Sequence, residues 1–318
     1  MMDKKYSKRG LKFFDIDDEV FRGKGWSALR KSREKRAAII ALFGGRENIP
    51  SSVMRASKAR PTEDFDLPVA GSRRYLHTNT PLVKEMRGSV KHAFRLSGAG
   101  VHAGALSTFP QNVGRSVLLL YSDPGDLVLD PFAGHNSRLE LCVKNGRHYT
   151  GYDISSEFMS FNETKAKQLR SSLPSASIHL HLQDSRKLKF TPTDSADFTV
   201  TSPPYYDIEY YGSEEAQLGK LKTYGDFLLG LGAVLKENFR GLKSGSFAVW
   251  FVNDFRRKKK FYTYHADVIC LAVDAGFHIH DIIIVDFGTG IRDVFINQAI
   301  EQRIIPKRHE YALVFRKP

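Results

Sequence analysis

Leu127-Val128-Leu129-Asp130-Pro131-Phe132-Ala133-Gly134 reads as a short buried strand that ends on an acid and turns on a glycine. An apolar helical pattern through Leu139, Leu141, Cys142 and Val143 follows it directly. His148 to Asp153 is a second strand that again ends on an acid, Phe158 to Leu169 is helical, and Ser177–Leu182 is a third strand. Asp197 to Thr201 is a fourth strand and Phe227 to Phe239 a long helix. Phe247 to Val252 and Ile282 to Val285 are uninterrupted apolar runs, as strands covered on both faces require, and Tyr311 to Phe315 closes the pattern. Strand–helix alternation of this kind predicts an α/β fold with an open, mostly parallel sheet and a terminal antiparallel hairpin. Such sheets bind ligands at the carboxyl ends of their strands.

The first third of the chain is different. Residues 1–95 hold 22 basic and 11 acidic residues, so most of the net charge of +13 lies there. A concentrated positive field suits a polyanion, because each neutralised phosphate releases counterions. A helix is expected from Ala28 to Phe43, opened by Trp26-Ser27 and ended by Gly44-Gly45, with Arg30, Lys31, Arg33, Lys35 and Arg36 on its polar side. Residues 50–81 contain Pro50, Pro61, Pro68, Gly71 and Pro81 and read as an extended connector. The expected division is therefore a basic N-terminal region, 1–95, that contacts nucleic acid, and an α/β domain, 96–318.

Composition narrows the setting. No stretch approaches the roughly 18 consecutive apolar residues of a membrane span. The first ten residues, Met1 to Gly10, are charged with no apolar run behind them, so no secretory signal is expected. Cys142 and Cys270, the two cysteines, have no metal-ligand neighbours, which predicts neither disulfide nor zinc and a cytoplasmic location. His179 with His181, and His278 with His280, are pairs on strands with no third ligand, and read as structural.

Three acids, Asp130, Asp153 and Asp184, fall at successive strand ends, with the glycine turn at the first. The glycine lets backbone N–H groups approach a ligand at the positive end of a helix. An acid about 20 residues further on suits ribose hydroxyls, and Asp184 suits an adenine amino group. The chain has neither G-x-G-x-x-G nor a G-K-[ST] loop, so a cofactor held by its phosphates is disfavoured.

Thr201-Ser202-Pro203-Pro204-Tyr205 follows the fourth strand. Two consecutive prolines fix φ and remove two donors, holding the local carbonyls rigid. An exocyclic amino group of a base is a weak nucleophile because its lone pair is delocalised into the ring. Acceptance of its two N–H bonds, by Ser202 and by a proline carbonyl, draws the nitrogen toward tetrahedral geometry. Tyr205 offers a flat face for an extruded base.

Asp130-Pro131-Phe132-Ala133-Gly134 taken with Thr201-Ser202-Pro203-Pro204-Tyr205 resembles the DNA amino-methyltransferases, over roughly the stretch from Phe109 to the C-terminus. The resemblance implies a Rossmann-like methyltransferase sheet and S-adenosylmethionine as cofactor. That cofactor carries a positive sulfonium and no phosphate, in keeping with an acid-rimmed site. It implies cofactor contacts from Phe109, Asp130, Phe132, Ala133, Gly134, Asp153 and Asp184, catalysis at Ser202, Pro203, Pro204 and Tyr205, and no metal. Phe109-Pro110-Gln111-Asn112 looks like the family's extra cofactor segment, and Lys307 to Tyr311 like its closing segment. A serine at position 202 favours cytosine N4 over adenine N6.

The sequence departs from the family at His135-Asn136-Ser137-Arg138, where Asn136 replaces a second glycine. Asn tolerates a left-handed conformation, so the turn is expected to survive. His135 and Arg138 become candidates for the cofactor carboxylate or a phosphate. Only 17 residues separate Asp184 from Ser202, too few for a recognition domain. Specificity is therefore expected from the N-terminal region, from Tyr206–Thr223 with Tyr206, Tyr210 and Tyr211, or from Phe287–Arg308 with Arg292, Arg303, Lys307 and Arg308. The basic run from Arg256 to Lys260, followed by Phe261, Tyr262 and Tyr264, reads equally well as a phosphate grip or a solvated face. Double-stranded DNA is the expected partner ahead of RNA, with no membrane partner, and a homodimer is a further candidate. A cytosine-C5 enzyme is disfavoured because neither cysteine follows a proline. An RNA amino-methyltransferase and an inactive nucleic-acid-binding protein of the same fold are the alternatives.

Overall fold

The computed structural model describes residues 37, 40–41, 43, 49–56, 109–208, 214–257, 259–288 and 293–318. The chain divides into two compact units, residues 1–49 and 50–318. In the first, Ala37, Ile40 and Ala41 are helical; the remainder of the helix expected there lies outside the described residues, as does most of the basic N-terminal region.

The second unit is built on one eight-stranded sheet. Its strands in chain order are β1 (Val53–Arg55), β2 (Leu127–Asp130), β3 (His148–Asp153), β4 (Ile178–Leu182), β5 (Ala196–Thr201), β6 (Leu242–Val252), β9 (His278–Asp286) and β10 (His309–Arg316). A separate hairpin, β7 (Phe255–Arg257) and β8 (Lys260–Tyr262), lies between β6 and β9 in sequence. Among the described residues the α-helices are α1 (Gln111–Tyr121), α2 (Ser137–Lys144), α3 (Ser156–Ser172), α4 (Tyr224–Gly241), α5 (Tyr264–Asp274) and α6 (Asp293–Gln302).

Strand order is β1-β9-β10-β6-β5-β2-β3-β4. All neighbouring pairs are parallel except the two made by β10, which runs antiparallel to β6 and β9. This is the Rossmann-like sheet with its terminal antiparallel pair. From β2 the chain winds out through β3 and β4, then returns to the other side of β2 with β5 and β6. The order therefore reverses between β2 and β5, and the crevice at such a switch point is where open α/β sheets take ligands.

Successive strand residues point to opposite faces, so each strand feeds two cores. Val128, Val249 and Phe251 pack with Val117 and Leu118 of α1, Leu139 and Cys142 of α2 and Leu169 of α3 on one side. Leu129, Ala248, Trp250 and Val252 pack with Leu231 and Leu235 of α4 and Val268 and Ala272 of α5 on the other. The result is three layers, α/β/α. Among the described helix starts, side-chain caps are made by Ser155, which accepts from Phe158 N at 3.4 Å, and Thr223, which accepts from Asp226 N at 3.1 Å. Among the described residues, no helix is long and apolar enough to cross a membrane.

Candidate active site

The carboxyl ends of β2 and β5 meet at the switch point, and one carboxylate organises both. Asp130 is fully buried. Its Oδ1 accepts from the Thr201 hydroxyl at 2.6 Å and from Phe132 N at 3.2 Å. Its Oδ2 accepts from Arg138 Nε at 2.7 Å and from the Tyr149 hydroxyl at 2.8 Å. Four donors occupy the side chain expected at the cofactor, so Asp130 shapes the turn from behind. Burial works against the Arg138 charge, but the Asp130 carboxylate more than compensates and leaves its pKa above the ordinary value. Burial, with Asp130 adding to it, pushes the Tyr149 hydroxyl far up, so Tyr149 stays a donor. Gly151 makes room for that ring: a Cβ there would stand 2.5 Å from the Tyr149 ring.

Arg138, a candidate for cofactor or phosphate, is spent elsewhere. Besides Asp130 it donates to the Phe132 carbonyl, and its guanidinium lies 5.3 Å above the Phe109 ring. Phe109 itself is buried, edge-on to Phe251 at 4.8 Å, and so reaches the site through Arg138.

The turn after β2 is tied down on every side. Ala133 N donates to the Tyr152 carbonyl at 2.7 Å, and Gly134 N to Asp153 Oδ2 at 2.7 Å. Asn162 of α3 donates to the Gly134 carbonyl at 2.7 Å, and the Ser185 hydroxyl to the Pro131 carbonyl. Gly134 has φ +51°, a conformation that costs a side-chain-bearing residue roughly 1–2 kcal/mol. Asn136 differs from expectation: its φ is −57°, so the position never needed a glycine's freedom. Its buried side chain instead meets His135 Nδ1 at 3.2 Å. Burial lowers the pKa of His135, so it offers no charge to a phosphate at neutral pH.

Asp153 and Asp184 both stand at strand ends on this edge. Asp153 Oδ1 also accepts from Ser155 N at 2.8 Å, and desolvation pushes its pKa up to about 6 despite those two amide donors. Asp184 is gripped by Arg186, whose Nε lies 3.0 Å and 2.9 Å from its two oxygens. Phe132 is half-buried, edge-on to Trp250 at 6.0 Å.

On the β5 side, Ser202 and Pro204 are half-buried, whereas Pro203 and Tyr205 are buried. The Tyr264 hydroxyl, at the start of α5, donates to the Pro204 carbonyl at 3.1 Å. Among the described residues no donor meets the Pro203 carbonyl or the Ser202 hydroxyl. The Tyr264 ring also stands edge-on to Tyr205 at 6.0 Å, fixing its plane. Thr201, Tyr149 and Asn162 were given no role from sequence, and Tyr264 was read only as an aromatic beside the basic run. Thr201 alone carried a signal, as a hydroxyl at a strand end beside an acidic one.

Other expectations fall away from this edge. His181 stacks on Phe190 at 4.7 Å, and His280 stands edge-on to Phe247 at 4.8 Å. Tyr210, Tyr211 and Arg292 lie outside the described residues. Among the described residues, no three His, Cys, Asp or Glu side chains gather as a metal group.

Comparison with known proteins agrees with this geometry. A family model described as DNA methylase, of the N6/N4 type, matches residues 78–164 and 196–318, about two thirds of the chain. The match contains Asp130, Gly134 and Asp153 in its first part and Ser202 to Tyr205 in its second, and skips Asp184. The type II methyltransferase M.Cfr9I of Citrobacter freundii is 30% identical over 119 residues, 35% of this chain and 39% of that protein. The DNA adenine methyltransferase YhdJ of Escherichia coli K12 is 38% identical over 50 residues, 16% of this chain and 17% of that protein. The chain thus spans well under half the length of these curated relatives. A solved structure of TTHA0409 from Thermus thermophilus, a candidate DNA modification methylase complexed with S-adenosyl-L-methionine, is 30% identical. That likeness covers 42% of this chain and 53% of the other, with a TM-score of 0.32. With the family model covering both halves of the switch-point site, the chain belongs to the N6/N4 DNA methylase family.

Proposed function

We propose that the protein transfers a methyl group to an exocyclic amino group of a base flipped out of double-stranded DNA, with cytosine N4 favoured over adenine N6. The observation that carries this reading is the Thr201–Asp130 hydrogen bond, which joins the proline corner to the glycine turn across the switch point.

S-adenosylmethionine is the cofactor, and when bound it supplies an electrophilic methyl group on a positive sulfonium. The donor set fits it: two strand-end carboxylates, a half-buried Phe132, and a glycine turn with no phosphate cradle. Asp153 would take the ribose hydroxyls, Asp184 would face the adenine, and Phe132, Ala133 and Gly134 would line the wall. Ser202 Oγ and the Pro203 carbonyl would accept the two N–H bonds of the base and pull its lone pair out of the ring. The second carbonyl, that of Pro204, is already taken by Tyr264. Tyr205 would support the base by stacking, in a plane held by Tyr264. A serine hydroxyl in the accepting position is what favours cytosine.

The test is incubation of the full chain with methyl-labelled cofactor and DNA or RNA, followed by mass spectrometry of the nucleosides. Label in N4-methylcytosine from DNA is expected. Label in N6-methyladenine would overturn the base assignment, and label confined to RNA would overturn the substrate.

Asp153 gives this site a pH dependence. Its carboxyl must be ionised to accept two amide donors and a hydroxyl together, and burial has moved that ionisation up to about pH 6. Cofactor affinity should therefore be full at neutral pH and fall as pH drops through about 6. The folded protein also holds this proton more tightly than the unfolded chain does. The group's contribution to stability is thus fully present below its ordinary range and lost as pH rises through about 6. Calorimetric titration of the cofactor between pH 5 and 8 checks the first point, and Asp153→Asn should flatten the curve. A wild-type affinity constant across that range would remove Asp153 from the cofactor site.

A further inference from the structure

Beyond the catalytic corner, the β7–β8 hairpin combines position, charge and an exposed aromatic. It leaves the carboxyl end of β6, the strand paired with β5, so it rises from the same edge as Ser202. Its cross-strand pairs are Phe255 with Tyr262, Arg256 with Phe261, and Arg257 with Lys260.

The alternation of a strand gives the ribbon two unlike faces. One face is bolted to the protein. Phe255 stacks on Tyr262 at 5.0 Å, and Tyr262 meets Tyr224 of α4 at 4.7 Å. On the same face Arg257 Nε lies 3.0 Å from both oxygens of Asp207, two residues beyond Tyr205. The ribbon is thereby pinned to the loop that carries the catalytic corner.

The other face, with Arg256 and Phe261, and the turn at Lys259 are spare, while Lys260 lies beside Arg257 on the bolted face with its ammonium 4.9 Å from the centre of the Tyr262 ring. Arg256, Lys259 and Lys260 are exposed, and among the described residues none of them is paired with a carboxylate. Phe261, a large apolar ring, is 43% exposed, and the Arg256 guanidinium lies 4.8 Å from its centre. An Arg already held against an aromatic ring loses less side-chain freedom when it meets a phosphate. An exposed ring among unpaired cations suits a partner that is both polyanionic and aromatic. Nucleic acid is such a partner.

We propose that the β7–β8 ribbon is the element that grips DNA beside the flipped base, with Arg256, Lys259 and Lys260 on backbone phosphates and Phe261 against a neighbouring base. This rests on the reading of the chain as a DNA methylase. It assigns a DNA-holding role to a segment inside the catalytic domain, where the short Asp184–Ser202 spacing leaves no room for a separate recognition domain.

The experiment measures affinity for a short DNA duplex against salt concentration, for the full chain and for R256A/K259A/K260A. Affinity for S-adenosylmethionine alone is the folding control. Each lost phosphate contact lowers the slope of log affinity against log salt by about 0.9, so the triple variant should lose roughly two to three units of slope. Phe261→Ala should weaken binding by about tenfold with its slope unchanged, because stacking releases no counterions. Both variants should bind the cofactor as wild type does. A wild type that methylates DNA, beside a triple variant with unaltered slope and affinity, would overturn the ribbon assignment and leave the methylase reading intact. A wild type that binds the cofactor but neither binds nor methylates DNA would overturn both.

Discussion

Replacing Asp130 with alanine should lower the stability of the protein by about 3–5 kcal/mol, the cost of stranding one partner of a buried ion pair. Arg138 is the stranded partner, with 6% of its side chain exposed against 0% for Asp130. Tyr149 and Thr201 lose their acceptor in the same step, and each buried donor left unmet adds to the loss. At about 2–4 °C per kcal/mol for a domain of this size, the melting temperature should fall by roughly 10 °C. Thr201→Val separates scaffold from coupling. It removes one hydrogen bond, about 1 kcal/mol, while keeping the ion pair. It should therefore leave the fold nearly as stable but loosen the corner that carries Ser202. Thermal melting of the three proteins checks this. An Asp130→Ala protein that melts within a degree or two of wild type would show that the four hydrogen bonds contribute nothing net.

Ser202→Ala should reduce kcat by roughly 10²–10³, the scale for removing one preorganised polar contact from a transition state that develops charge. The Pro203 carbonyl remains as a second acceptor, so some turnover persists. Ser202 makes no contact with the glycine turn among the described residues, and affinity for S-adenosylmethionine should stay at the wild-type value. Single-turnover methylation of DNA, with cofactor titration beside it, measures the two separately. Unchanged turnover, or a loss confined to cofactor binding, would remove Ser202 from the reaction.

The sheet was legible because its central strands are covered on both faces and so appear as apolar runs. Val128-Leu129 and Ala248 to Val252 feed two cores at once, as a sheet held between two helix layers demands. Strand ends facing water were harder to read. The start of β6, Leu242-Lys243-Ser244, does not show in the apolar pattern, and that of β9 shows only through the His278–His280 spacing. The hairpin read equally well as a phosphate grip or a solvated face, because the Tyr224 ring that anchors it comes from another element.

Residue types at the site were legible, but their division of labour was not. Nothing in the spacing of Asp130 and Arg138 reveals that they neutralise each other in the core. Equally, the choice between the two proline carbonyls rests on Tyr264, sixty residues away in sequence. Asn136 was misjudged for a simpler reason. A second glycine suggested a left-handed backbone, whereas the chain there is right-handed.

The three-residue strand β1 has a meaning for solubility. It covers Ile284 to Asp286 of β9, held by Ile284 N to the Ser52 carbonyl at 2.7 Å and Ala56 N to the Asp286 carbonyl at 2.8 Å. Asn112 of α1 also donates to its Arg55 carbonyl at 2.8 Å. An uncovered strand edge is a template on which another copy of the chain can pair. β1 closes that template where β9 is most apolar, and His278, His280 and Asp281 blunt the stretch it does not reach. A protein shortened to begin after Ala56 would keep every residue of the switch-point site and yet expose an adhesive border, and should aggregate where the longer chain does not.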